Sequence, residues 1–210
     1  MKYLLIVFIL GFSSIYSFGQ NTRLELKFGP GFGNMMAKEE GWLKTQEKFL
    51  TGLQTCVKIN QNISNSVYLG FGLGYYQRGF QYDVTFYDKN AVYLRTDRYR
   101  LSYYYLGIPL SVGLMTNGPV KFIFETGVIP ELFLNSKLKI KNQGETQKGS
   151  WGGDNPHLTL TGNTGLERSI NDQLAVRLSC NAYIGLTKLP LMDYRHFVAS
   201  IEASIVYTLK

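Results

Sequence analysis

Few residues in this chain are of a type that does covalent chemistry. The chain has two histidines, His157 and His196, and Ser150, Asp154 and Asp193 stand near them in sequence. A hydrolase or acyltransferase site needs a nucleophile, a base and a group that orients the base, all within hydrogen-bond reach. No spacing ties these five residues into such a set, and they fall in polar connections where such residue types are ordinary. The histidines are too far apart in sequence for a zinc motif, and Cys56 and Cys180 alone form neither a disulfide framework nor a metal set. "GFGLG" at 70–74 has the look of a phosphate loop. Phe71 and Leu73 alternate with its glycines inside a strand pattern, which argues against that use. The expectation is therefore no catalytic residue, no metal and no cofactor, with a loop-borne enzyme site as the alternative.

A second set of residues is charged and sits within strand-like runs: Glu25, Lys27, Lys58, Lys121, Glu125, Arg177 and Glu202. Side chains alternate across a strand, so parity decides where these charges point. In "FVASIEASIVYTL" (197–209), Phe197, Ala199, Ile201, Ala203, Ile205, Tyr207 and Leu209 share one face, and Glu202 lies on the other with Ser200 and Ser204. The same alternation runs through 67–76, 104–114, 120–134 and 174–186, and more weakly through 24–33, 50–59 and 157–167. About eight strands result. Each has one face of Leu, Ile, Val, Phe and Ala, and one of Gly, Ser, Thr, Asn and scattered charges.

Long and short connections alternate between these strands. Those at 34–49, 79–98, 135–156 and 187–195 are long or polar. "NQNISN" (60–65), "TNGP" (116–119) and "SINDQ" (169–173) are tight. An up-and-down barrel with short turns at one end and long loops at the other has that rhythm. A soluble lipid-carrying barrel alternates too, but puts Lys and Glu on its outer face. Here the small polar face suits a narrow lumen, and the broad apolar face would aggregate in water. That face is expected to contact lipid, with Tyr75, Tyr104, Tyr207 and Phe197 near strand ends as an interfacial girdle. The fold expected is all-β: an eight-stranded antiparallel up-and-down transmembrane β-barrel.

The first residues, "MKYLLIVFILGFSSIYSFGQ", have a basic start, an apolar run and a small-polar stretch, the pattern of a secretory signal peptide. Cleavage after Gly19 would leave 20–210 as the barrel domain, located in the outer membrane of the cell. The net charge of +7 is spread along the chain, which with export argues against nucleic acid as partner. Parity points the seven strand charges into the lumen, where Lys27 and Arg177 are the expected partners of Glu202. Parity also turns Cys56 inward and Cys180 to lipid, so no bond between them is expected.

With the strands placed, the chain resembles the outer-membrane β-barrel domain family of Bacteroidota, which includes the PorT-type small barrels. "LELKFGPGFG" (24–33), "YLGIPLSVGL" (105–114) with Pro109, "FIFETGVIPELFL" (122–134), "LSCNAYIGLTKL" and the closing strand carry the resemblance. It departs at Gly107, where the family often has an acid, and at the end, where Thr208, Leu209 and Lys210 follow Tyr207. The resemblance implies a membrane barrel without shared catalytic residues, and a place in an envelope or secretion assembly. The functional expectation is a non-enzymatic barrel whose loops bind. In loop 135–156, Lys137, Lys139, Lys141, Lys148 and Trp151 are the contact candidates, with lipopolysaccharide or an envelope protein as partner. A small transporter or pore is a further alternative, disfavoured because eight strands leave room for little beyond side chains.

Overall fold

The computed structural model describes residues 22–36, 46–90, 92–141, 146–149, 156–187 and 195–209. Its strands are β1 (Thr22–Met36), β2 (Gln46–Asn62), β3 (Val67–Tyr87), β4 (Tyr93–Gly107), β5 (Leu110–Met115), β6 (Val120–Lys141), β7 (Thr146–Gly149), β8 (His157–Ser169), β9 (Leu174–Gly185) and β10 (Arg195–Thr208). All pairs are antiparallel, and β1 pairs with both β2 and β10, so the sheet closes on itself. β4 and β5 form one stave and β7 stands outside the ring, which leaves the eight staves expected. The break between β4 and β5 falls at Ile108 and Pro109. Proline has no N–H for the ladder, and the stave is held there by Ile108 N–H donating to the Pro130 carbonyl (3.0 Å).

Parity holds around the ring. Phe122 is 64% exposed and Leu178 60%, whereas Glu202 is 1% exposed. Cys56 is buried and Cys180 exposed, both free thiols on opposite faces of the wall. On the lumen side, Gly113 lies against the Tyr68 ring, which a Cβ there would meet at 2.1 Å. Tight turns at 63–66, 116–119 and 170–173 join staves at one end, and Gly118 takes the positive φ (135°) that its turn requires. Leu209 N–H donates to the Thr22 carbonyl (2.9 Å), placing both ends of the ring at this turn end.

The other end differs from the sequence expectation. Most of 79–98 is not a loop: β3 and β4 run through it as a hairpin, in register from Gly79↔Ser102 to Thr85↔Thr96 and closed by Tyr87↔Tyr93. β3 has 21 residues, about 70 Å of chain at ~3.4 Å each, while ~9–11 tilted residues cross a bilayer. Ring stacking holds the extension, with Tyr82 on Tyr99 of the facing strand at 5.2 Å and Phe80 on Tyr82 along β3 at 5.8 Å. β6 likewise continues through 135–141, and β7 pairs with it. Tyr75 and Tyr104 consequently lie mid-strand rather than at strand ends, stacked at 6.2 Å where the apolar belt stops. Phe197 and Tyr207 do lie toward the two ends of β10.

One irregularity changes which way a whole segment faces. β4 and β6 pair Tyr105↔Phe133 and then Tyr104↔Asn135, so Leu134 is a bulge. An extra residue in one strand reverses the parity of all that follows. Up to Leu134 the even positions of β6 face outward; beyond it Lys137, Lys139 and Lys141 do, and all are exposed.

Candidate functional site

The lumen holds paired charges set among small polar residues such as Ser179, Ser200 and Ser204. Near the turn end Arg23 pairs with Glu167, and Lys121, half-buried at the mouth, lies 3.9 Å from the same carboxylate. Arg177 bridges two glutamates: Nη2 donates to Glu167 (2.8 Å) and Nη1 to Glu25 (3.0 Å). Asn60 Nδ2 donates to Glu25 Oε2 (2.8 Å). One step further, Lys58 Nζ donates to Glu125 Oε1 (2.7 Å), and the Tyr68 hydroxyl donates to Oε2 (2.8 Å). Lys27 Nζ lies 3.3 Å from Glu202 and donates to Asn181 Oδ1 (2.8 Å). Glu202 also accepts from Tyr183 Oη (2.8 Å) and from Ser200. Unpaired charges in so dry a space would be costly, and pairing with full hydrogen bonding makes them tolerable.

All seven sequence-named lumen charges thus line the interior, but one pairing needs correction. Lys27 is a partner of Glu202; Arg177 is not. On β10 the small Ser204 stands opposite both Arg177 and Lys27, and the guanidinium reaches past it to Glu25 on β1. On its other side Arg177 is in direct register with Glu167 of β8. Sequence reasoning missed Glu167, Arg23 and Glu131, although parity within their strands points all three inward. Arg78 was missed because its segment reads as a loop.

Above the charges lies an apolar layer of Tyr76, Phe80, Leu101, Tyr103, Tyr105, Ile129, Tyr183 and Val198. Set into it at the hairpin end is the group that brings the two histidines together. Arg78 contacts Glu131 and His196, Tyr105 stands edge-on to His157 (5.2 Å), and the His196 ring lies 6.4 Å from Tyr105. Thr159 Oγ1, 3.3 Å from His196 Nε2, has the placement of a nucleophile beside a base. Its bonds do not suit that role. Thr159 accepts from Arg78 Nη1 (2.7 Å) and donates to Glu131 Oε2 (2.9 Å), so its proton is directed at the carboxylate. Thr159 is fully buried and both histidines are nearly so, so the cluster packs inside the lumen. Ser150, Asp154 and Asp193 lie outside the described residues.

The expected loop contacts sit on strands in part. Lys137, Lys139 and Lys141 belong to β6, and β7 sets Lys148 opposite Lys137 in register. Trp151 lies outside the described residues. Beside the lysines, outside the apolar belt, Asp83 accepts from Arg98 Nε (2.8 Å) and Lys48 Nζ (2.7 Å). The Arg98 hydrogen bond, then that of Lys48, lowers the Asp83 carboxyl to about 2.

No family model and no curated protein matches this chain. Solved structures do. Neisserial surface protein A aligns with 10% identity over 89% of this chain and 96% of its own, with a TM-score of 0.53. The outer membrane protein OprG from Pseudomonas aeruginosa aligns with 11% identity over 90% and 96%, at 0.48. Outer membrane protein AlkL aligns with 12% identity over 91% and 92%, at 0.49. At such identities the first of these likenesses shows the fold alone: the chain is similar to small eight-stranded outer-membrane barrels.

Proposed function

We propose that the protein is exported behind residues 1–19, inserts into the outer membrane as a plugged barrel, and acts there as a non-enzymatic binding element. In this reading the turn end faces the periplasm, as short barrel turns do, and the extended hairpins face outward. The observation that carries it is the lumen. Among the described residues, its ion pairs, aromatic layer and Arg78–Glu131 pair occupy the interior, which favours a rigid stalk over a transporter. The sheet of β3, β4, β6 and β7 beyond the belt is then the working part. The resemblance to PorT-type barrels in "YLGIPLSVGL" supports a place in an envelope or secretion assembly.

Fractionation and planar-bilayer recording test this together. The protein should remain with outer membranes after carbonate extraction, and the purified barrel should pass no steady current. Large, stable conductance would move the function to transport. Loss of a phenotype on His157→Ala/His196→Ala, with the barrel still folded and heat-modifiable, would move it to catalysis.

A further inference from the structure

We propose that the outward face of β4 and β6, just beyond the apolar belt, binds the phosphate groups of an outer-leaflet glycolipid. This rests on the outer-membrane reading above.

Register is the first argument. Cross-strand neighbours on this face are Arg98↔Lys141 and Arg100↔Lys139. Residues directly opposite have Cβ atoms about 5 Å apart, and like charges there destabilise the sheet. Arg98 is offset by Asp83. Arg100 gives its Nε to the neutral Gln81 (2.8 Å), and no carboxylate among the described residues pairs with it or with Lys137, Lys139 or Lys141. The lumen cations, by contrast, each have a glutamate. Among the described residues the patch therefore holds like charges in register without a carboxylate counter-ion at Arg100, Lys137, Lys139 or Lys141, an arrangement that an external anion stabilises.

Depth is the second argument. The bulge at Leu134 puts these lysines on the face that carries Leu132 and Leu134 against lipid. Tyr104, in the ring stack at the belt's edge, pairs with Asn135, and Lys137 is the next outward position, about 7 Å along the strand. The polar headgroup region extends about 5–7 Å beyond the hydrocarbon on each side. Lys137 therefore stands at headgroup height. Lys139 and Lys141 follow about 7 Å apart beyond it, with stems long enough to turn their heads back toward that layer, while the planar guanidinium of Arg100 suits two phosphate oxygens at once.

The test uses the full mature chain in phosphatidylcholine nanodiscs, titrated with fluorescent lipid A. Wild type should bind it, with affinity falling as salt rises, and phosphatase-treated lipid A should bind far more weakly. Lys137→Gln/Lys139→Gln/Lys141→Gln should weaken binding on the order of a hundredfold, about fivefold per lysine, and the corresponding triple Arg variant should restore it. Equal binding by the triple Gln variant, or by dephosphorylated lipid A, overturns the proposal. Equal affinity for soluble inositol hexakisphosphate overturns the lipid assignment in favour of a free polyphosphate. A wild type that inserts and stays closed to ions but ignores lipid A defeats this inference alone. One that does not insert defeats the outer-membrane reading with it.

Discussion

Replacing Arg177 by methionine keeps most of the side-chain length and removes the charge at the centre of the lumen. Arg177 and both of its carboxylate partners are fully buried, and it makes hydrogen bonds to Glu25 at 3.0 and 3.1 Å and to Glu167 at 2.8 and 3.2 Å. The two glutamates fare differently without it. Glu167 keeps Arg23, whereas Glu25 keeps, among the described residues, the neutral Asn60 as a hydrogen-bond donor and Lys58 opposite it in register, a lysine already bonded to Glu125. Leaving one buried charge uncompensated costs about 3–5 kcal/mol. With Lys58 offsetting part of the Glu25 charge the loss should fall at the lower end, about 3 kcal/mol, and most of it should come from Glu25. Arg177→Met/Glu25→Gln should therefore be more stable than Arg177→Met alone, by about 2 kcal/mol or more, because the orphaned charge is gone. Urea unfolding of the barrel in phosphatidylcholine vesicles, followed by the shift between folded and unfolded bands on unboiled gels, measures both variants. An Arg177→Met barrel within about 1 kcal/mol of wild type would refute the reasoning, and so would a double variant as unstable as the summed singles.

Deleting Leu134 removes the bulge and should turn Lys137, Lys139 and Lys141 toward the apolar inner face occupied by Leu101 and Tyr103. Trypsin should then cut within 135–141 while the membrane-embedded part stays protected; an uncut strand would mean the bulge does not set the facing. Asp83 should titrate near pH 2 by carboxyl NMR, below the ordinary value of 3.8. Because the folded value is the lower one, its contribution to stability is complete above about pH 4 and is lost as pH falls through about 2. Asp83→Asn should abolish that part of the acid transition in hydrogen exchange of the β3–β4 hairpin. A fluorophore on Cys180, in a Cys56→Ser background, should be quenched by brominated acyl chains; no quenching would place β9 in the wrong register by one residue.

Strand identity, facing and the closed ring were legible in the sequence because a strand's side-chain period of two is local. Ile201 and Glu202 reveal opposite faces from their immediate neighbours, and Cys56 and Cys180 were separated by the same rule. The lumen charges were legible as a set for that reason, and their pairing was not. Which glutamate Arg177 meets depends on the stagger between staves and on Ser204 being small enough to reach past, and neither is a property of one strand. The outer sheet was hidden more deeply. Tyr82 and Tyr99 support strands far beyond the membrane only when the hairpin brings their rings together. Lys137, Lys139 and Lys141 would have pointed inward by parity. A single residue, Leu134, left over when β6 pairs with β4, turns them out, and only the pairing of the two strands decides where that surplus falls.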